Sequence, residues 1–462
     1  MAEITSLGNA VAGLVRDGDS VALEGFTHLI PFAAGHEILR QGRRDLELVR
    51  MTPDILYDQM VGIGAARRLV FSYAGNPGVG SLHRVRDAVE HGWPRPVEIE
   101  EHSHAGMANR YAAGAAGLPF AVLRGYRGTD LADHTTVATI TCPFTAEELA
   151  AVPALRPDVA VIHAQEADRA GNVQLWGIPG VQKEAVLAAE RALVTVERIV
   201  DRIELRPGGI ILPAFVIDAV AEAPGGSRPS YSHGITDRDN GFYREWDAIS
   251  RDRERFTAWM DEHVLGRGVG ARPTRIPLSI GDGALAEPAL AVVPVPEMLN
   301  DWIGPGRIDV AFLGAAQVDR FANLNSTVIG DYAKPRVRLP GAGGAPEIAA
   351  GCGEVVIVAP HARHTLVERL DFITTVGHGD GPGARRRYGF RGAGPTAVIT
   401  DLGVLEPDPE TKELTLISIH QDVTVDDVRA QTGWALRVAA TVATTEPPTA
   451  EELGALCELV SR

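Results

Sequence analysis

Short apolar runs alternate with stretches of helical period along the whole chain. Ser20–Leu23, Leu46–Arg50, Val159–His163 and Leu193–Val196 are β-rich and too short for helices, which predicts strands. Lys183–Ala192 is helix-like, and Gly or Pro marks the joins. Such an alternation predicts parallel sheets covered by helices. The rhythm returns in the last part of the chain with predicted strands at Val310–Leu313, Val355–Val358 and Ala397–Thr400, so two related α/β halves are expected. At the start, the short apolar periodicity between Glu3 and Arg16 predicts an amphipathic helix followed by a strand. Ala223–Tyr243, rich in Gly, Ser, Asp and Pro, predicts a long surface excursion. A helix over Ile249–Val264 and a junction at Leu265–Arg272 follow.

A gapless internal repeat supports the two halves. Asp158–Gln174 reads DVAVIHAQEADRAGNVQ and Asp309–Asn325 reads DVAFLGAAQVDRFANLN, so that Asp168, Arg169 and Asn172 fall on Asp319, Arg320 and Asn323. Each copy is an apolar strand running into a polar loop. Ligands of open α/β sheets bind beyond the C-terminal ends of strands, but Asp and Asn also close turns by bonding local backbone. Both roles stay open, and they can coexist.

Composition narrows the function. At 462 residues and 45% hydrophobic content the chain divides into at least two α/β units. A net charge of -16 argues against a phosphate-backbone binder, so nucleic acid is excluded as a partner. Coenzyme A, also anionic, is not excluded, because backbone amides can hold phosphates without a basic surface. Cys142, Cys352 and Cys457 form no CxxC pair, which leaves no zinc knuckle or disulfide framework and suits a reducing cytoplasm. No apolar run reaches the roughly 20 residues of a membrane span; a soluble cytoplasmic protein with no membrane partner is expected.

Particular words of the sequence then point to a family. Gly25-Phe26 with the following Thr-His-Leu-Ile-Pro, Asn76-Pro77-Gly78-Val79-Gly80-Ser81, Glu100-Glu101-His102-Ser103-His104, Ala113–Phe120 and Cys142-Pro143-Phe144 resemble the α subunit of coenzyme A transferases of the glutaconate and 3-oxoadipate type (family I). Ile276–Asp282, Gly314-Ala315-Ala316-Gln317, Ser326–Tyr332 and Gly341-Ala342-Gly343-Gly344-Ala345-Pro346-Glu347 are similar to the β subunit. The resemblance covers nearly the whole chain in order, with the wording closest to the 3-oxoadipate enzymes. It implies two subunits fused in one polypeptide: an α-like domain over 1–265 and a β-like domain over 266–462. The implied fold is two open, mainly parallel-sheet lobes with helices on both faces, the second truncated at its N-terminus. A homodimer mimicking an α2β2 assembly is implied too.

The implied chemistry is a ping-pong exchange between an acyl-CoA, succinyl-CoA for the 3-oxoadipate type, and a dicarboxylate such as 3-oxoadipate. A β-subunit glutamate passes through an acyl anhydride to a glutamyl-CoA thioester. Coenzyme A is then a substrate, and no cofactor is required. The implied CoA and substrate contacts are Gly25, Phe26, Asn76, Gly78, Gly80, Gln317, Asn323, Gly341, Gly343, Gly344 and Ala345. Glycine loops suit that task because no Cβ blocks the approach of backbone donors to an oxyanion; the alternative for each is an ordinary tight turn. One departure matters. In the family the glutamate belongs to a Glu-Ser-Gly triplet just before the stretch seen here as Val269–Thr274, and Gly266-Arg267-Gly268 stands in its place. The end of the α half and the opening βαβ unit of the β half are missing, so no residue inherits the glutamate's role by alignment.

Weaker signals remain. Relatives that lack the transferase glutamate act as hydrolases through an α-half glutamate near Glu100-Glu101, which makes Glu101 the candidate base of a CoA-thioester hydrolase; the alternatives are a salt-bridged glutamate or an inactive CoA-binding remnant. His102 and His104 share a face at strand spacing, but no Cys or third His accompanies them, so no metal is expected. Gly62-Ile63-Gly64 is a fragment of a dinucleotide fingerprint without its third glycine. Arg385–Arg387 with Tyr388 are candidates for the nucleotide phosphates of coenzyme A or for a solvated charged loop.

Overall fold

The computed structural model describes residues 2–76, 80–265, 293–449 and 453. Gly78, the Gly266–Gly268 place of the absent triplet, the Ile276–Asp282 word and the proposed boundary at 265/266 lie outside them. The chain divides into two compact units, one of Met1–His102, Gly106–Ala121 and Val152–Glu297, the other of Ser103–Ala105, Val122–Ala151 and Met298–Arg462. Two pieces of the α-like sequence thus belong to the unit built mainly from the β-like sequence.

The first unit is an open sheet in the order Glu3–Ile4, Ala219–Glu222, Arg191–Val200, Val159–Asp168, Ser20–Glu24, Leu46–Val49, Ala66–Phe71, Glu98–Glu101. Every neighbouring pair along that path is parallel. The central strands bury both faces, which explains their unbroken apolar spelling. Val159 and Val161 join Val21, Leu23 and Leu48 in a core with residues of the helices Leu7–Leu14, Phe32–Arg40 and Ile55–Gly62, while Ala160 and Ile162 are equally inaccessible. The predicted first helix is present, capped by Ser6, whose Oγ accepts from Asn9 N at 3.2 Å.

Three expectations change here. Lys183–Ala192 is helical only over Gln182–Ala188, because Arg191 and Ala192 already pair with Val159 and Ala160 in the sheet. The helical stretch Ile249–Val264 begins earlier, at Asn240, and breaks after Arg251, where Asp252 caps a second helix over Arg253–Met260. The Ala223–Tyr243 excursion lies at the surface only in part: Pro224, Gly234, Ile235, Asp237 and Gly241 are exposed, while its serines turn inward. Ser227, Ser230 and Ser232 are wholly buried, because Glu197 on the central strand accepts from Gly225 N at 2.6 Å and from Ser232 Oγ while facing His163 at 3.1 Å. Polar composition predicted exposure, but here the polar groups satisfy one another. Gly62 is not a phosphate turn either: a Cβ there would lie 2.4 Å from Phe256 Cζ, so it permits close packing of the helix onto the Arg253–Met260 helix.

The second unit has a sheet in the order Val310–Leu313, Glu354–Val358, Gly394–Ile399, Gly403–Pro407, Leu414–Ile419, Arg437–Thr444. The first three strands are parallel, the next two pairs antiparallel and the last parallel. Val355, Ile357, Val398, Leu405 and Leu416 face a core closed by Val428 and Trp434. The alternate positions of the first strands do not: Val310, Phe312 and Val358 are 47%, 69% and 52% exposed.

The repeat folds as one motif in both units. Val159–Asp168 turns into Val173–Leu175, and Gln317–Val318 turns into Leu324–Asn325, each as an antiparallel hairpin whose tip is the Asp-Arg-x-x-Asn string. In the first copy the hairpin prolongs a ten-residue strand, whereas Gly314–Ala316 interrupts the second.

Candidate active site

In the first unit, four sequence-predicted residues occupy tight turns. The strand Ser20–Glu24 runs into Gly25, where a Cβ would lie 2.6 Å from Leu29 O. Only glycine lets this turn close, and Arg50 fixes it by donating to Gly25 O at 2.8 Å. Thr27 and Leu29 have φ of 60° and 52°, a strain that side chains rarely accept. Phe26 is half-buried, with its Cβ so close to Gly180 that a Cβ on Gly180 would lie 2.7 Å from it. Asn76 is buried and forms a bridge to Gly80, whose φ is 124° and whose added Cβ would meet Asp247 Oδ1 at 2.4 Å.

The carboxylate pair Glu100-Glu101 ends the edge strand of the parallel sheet, at the side where such sheets bind ligands. The two carboxylates differ. Glu100 Oε1 lies 2.9 Å from Arg110 Nη1 and 2.6 Å from His102 Nε2, and Oε2 accepts from Arg68. Burial works against its charge, but the His102 hydrogen bond and the Arg110 and Arg68 guanidinium groups outweigh it and hold the carboxyl at about 2. Glu100 is therefore a permanent anion of a structural ion cluster. Burial pulls the His102 imidazole down to about 4 although it faces that carboxylate, so the ring is neutral, with its Nε2 between Glu100 Oε1 and Arg110 Nη1 at 2.7 Å. Glu101, next to it at the end of the strand, is completely buried. The histidine pair does not share a strand face: the strand stops at Glu101 and a helix starts at His104. Among the described residues, no group of three or more His, Cys, Asp or Glu side chains is placed to hold a metal ion.

In the second unit the glycine loop leads into the helix Ala345–Gly351, with Gly344 at its N-cap and Pro346 in its first turn. Gly341 and Gly343 have φ of 114° and 55°, which glycine adopts without strain. Gly341 N donates to Ser326 O at 2.9 Å and Ala345 N to Ala342 O at 3.2 Å. Among the described residues, the N–H groups of Gly343 and Gly344 have no protein acceptor. Two adjacent free donors on a glycine turn form the kind of anion cradle that a developing oxyanion needs.

Gln317 and Asn323 are placed differently. Gln317 Oε1 accepts from Asn325 Nδ2 at 2.8 Å and from Asp371 N at 3.1 Å, and its Nε2 donates to Asp371 Oδ2 at 3.1 Å. Asn323 Oδ1 accepts from Gly377 N and Gly379 N, both at 2.9 Å, while Nδ2 donates to Asp319 and to Gly379 O, both at 2.8 Å. Their polar atoms are committed to the protein. The basic run is likewise engaged: Arg385 donates to the carbonyls of Gly377, Ala349 and Arg391, and Arg387 pairs with Asp380.

The sequence did not single out Ser103 and Glu347 as a pair. Within the second unit, Ser103 Oγ donates to Glu347 Oε1 at 2.6 Å, Ser103 N donates to the Tyr126 hydroxyl at 3.0 Å, and His104 N donates to Gly343 O at 2.7 Å. Glu347 packs so closely on Gly125 that a Cβ there would lie 2.4 Å from Oε1. Burial pushes the Glu347 carboxyl up to about 7, against the hydrogen bond from Ser103. With 244 positions between them, nothing local in the sequence signals this contact.

Known proteins share these features of sequence and fold. Residues 4–223 and 267–431 match the family model for coenzyme A transferase. The chain is similar to one of the two subunits of the 3-oxoadipate CoA-transferase of Pseudomonas knackmussii, 63% identical over 267 residues that span 58% of this chain and 95% of that subunit. It is similar also to the other subunit of that enzyme, 55% identical over 194 residues, 42% of this chain and 75% of that subunit. An acyl-CoA transferase of E. coli O157:H7, solved as a thioester complex with CoA, superposes with a TM-score of 0.72 over 96% of this chain and 95% of its own; at 14% identity this shows the fold alone. The two subunits match different parts of the chain, as a fusion of the two requires.

Proposed function

The chain belongs to the coenzyme A transferase family, and from that membership we propose that succinyl-CoA and 3-oxoadipate are the CoA donor and acceptor of the exchange to which its two parts correspond. The observation that carries this is the likeness of its two parts to the two subunits of a 3-oxoadipate CoA-transferase. In such an exchange a carboxylate oxygen attacks the thioester carbonyl carbon, CoA leaves as thiolate and an acyl anhydride remains. The thiolate then attacks the enzyme-side carbonyl of the anhydride, which releases succinate and leaves glutamyl-CoA. The acceptor carboxylate runs the same steps backwards. Each addition places negative charge on a carbonyl oxygen, and the Gly343 and Gly344 amides are the donors for it. Gly25, Phe26, Asn76, Gly78 and Gly80 are the proposed contacts from the α-like sequence, with Gly341 and Ala345 from the β-like sequence. Gln317 and Asn323 act through the loops that they hold.

The nucleophile of the family is absent in our reading. No glutamate in the sequence is followed by serine, so a Glu-Ser-Gly triplet occurs nowhere in the chain. Without a carboxylate to carry first acyl and then CoA, the two groups have nowhere to reside between substrates. On this reading the chain binds the thioester, and its transferase turnover is negligible. Two chains pair in a soluble, cytoplasmic homodimer that stands for two α-like and two β-like subunits. Among the described residues, no helix is long and apolar enough to cross a membrane.

A second reading has its own observation. Glu101 is a fully buried carboxylate at the C-terminal end of an edge strand of the parallel sheet, where open α/β sheets bind ligands, a place that suits a base that activates water against a bound thioester. Calorimetric titration with succinyl-CoA, paired with chromatography of CoA products in the presence of 3-oxoadipate, tests both. Binding with no 3-oxoadipyl-CoA supports the main reading, and free CoA lost on Glu101→Gln supports the second. No binding of any acyl-CoA overturns both.

A further inference from the structure

Glu347 presents a problem that the family reading leaves unsolved. It is 8% exposed, its Oε1 is taken by Ser103, and its Oε2 is buried with no hydrogen-bond partner among the described residues. A bare carboxylate oxygen in that position would be costly, since buried anions need partners for both oxygens. The surroundings supply none. Ser103, with His104 next in the chain, meets it from one turn and Gly125, with Tyr126 next in the chain, from another, and its ionisation is shaped by burial, the Ser103 bond and its own backbone amide. Of these neighbours His104 and Tyr126 titrate. Burial keeps the His104 imidazole neutral down to about 4, and the Tyr126 hydroxyl accepts from Ser103 N.

The location gives the problem a function. Glu347 sits in the first turn of the helix that the glycine loop enters, and the same turn that supplies Ser103 also supplies the His104 N–H bonded to Gly343 O. Two groups on either side of the Gly344 cap are thereby pinned: the Gly343 carbonyl and the Glu347 carboxyl. We propose that Glu347 is a positioning residue of the glycine loop, which as a neutral carboxylic acid locks the Gly343 and Gly344 donors in place and which releases them when it ionises. The step is a simple proton loss from the carboxyl to water. An unpaired buried anion would then draw water or rotate outward, and the Ser103 and His104 bonds that set the loop would go with it.

This inference rests on the reading of the loop as a thioester-binding element, and the test separates the two. The full chain is titrated with succinyl-CoA at about pH 6 and about pH 8, and its unfolding midpoint is followed without ligand over the same range, for the unaltered protein, Glu347→Gln and Ser103→Ala. If only the neutral form is competent, affinity falls about tenfold between those pH values, while Glu347→Gln, neutral throughout, keeps the higher affinity at both. The ligand-free midpoint of the unaltered protein also drops with rising pH, and that of Glu347→Gln stays level. A level affinity in the unaltered protein, or a Glu347→Gln variant that loses affinity at both pH values, overturns the positioning role and leaves the thioester reading intact. Absence of all acyl-CoA binding overturns the thioester reading, and the ligand-free midpoints still decide whether Glu347 is held neutral.

Discussion

Asn323 donates its side-chain amide to Asp319 at 2.8 Å across the tip of a hairpin, and in the other unit Asn172 donates to Asp168 at the same 2.8 Å. The likeness extends to the backbone, where Asp319 Oδ1 accepts from Asn323 N at 3.0 Å and Asp168 Oδ1 from Asn172 N at 2.9 Å. The repeat therefore encodes a turn. The copies differ in burial: Asn323 is 3% exposed and makes four side-chain hydrogen bonds, while Asn172 is partly exposed. Asn323→Ala should cost about 2 to 3 kcal/mol and Asn172→Ala about 1 kcal/mol, read by urea unfolding. Equal, negligible costs with lost acyl-CoA affinity would instead make Asn323 a ligand contact.

Glu100 and Glu101 separate by their effect. Glu100→Gln leaves the buried Arg110 without its anion, while Arg68 keeps Glu47 and Glu98, and should destabilise by about 3 kcal/mol. The pH dependence has a definite sign. A carboxyl held at about 2 in the folded chain, against 4.5 ordinarily, contributes stability that is present above the ordinary value and lost as pH falls toward about 2. Unfolding midpoints of the unaltered protein should fall across that window, and those of Glu100→Gln should fall less. Glu101→Gln should instead remove slow thioester hydrolysis, followed as free thiol release. Unchanged hydrolysis would end the second reading.

Gly343 has a φ of 55°, and a β-branched side chain there meets backbone strain. Gly343→Val should weaken succinyl-CoA binding at least about tenfold, by loss of close backbone approach. Unchanged affinity in calorimetry would remove the loop from the site.

Much of the architecture was legible because both faces of the central strands are buried, so Val159–Ile162 spells a strand at every position. The hairpin tips were legible as a repeated string, although the string alone could not tell a turn from a ligand site. Other features had no local signal. The Ala223–Tyr243 excursion reads as exposed by composition and is in part buried, where one distant carboxylate, Glu197, accepts from Gly225 N and Ser232 Oγ. Ser103 and Glu347 meet only because residues 103–105 fold with the second unit, and no periodicity foretells a contact of that kind. The glycine words were visible in the sequence; the donors that they leave free required the backbone.

The central claim is that this chain binds a CoA thioester and lacks the carboxylate that would carry it. The most direct measurement incubates the purified chain with succinyl-CoA, adds hydroxylamine or borohydride, and searches the protein by mass spectrometry for a trapped glutamyl adduct while 3-oxoadipyl-CoA is assayed in parallel. The account predicts thioester binding, no adduct and no 3-oxoadipyl-CoA. A trapped glutamate together with sustained CoA transfer would contradict it, and the adduct's position would identify the carboxylate that has taken the role.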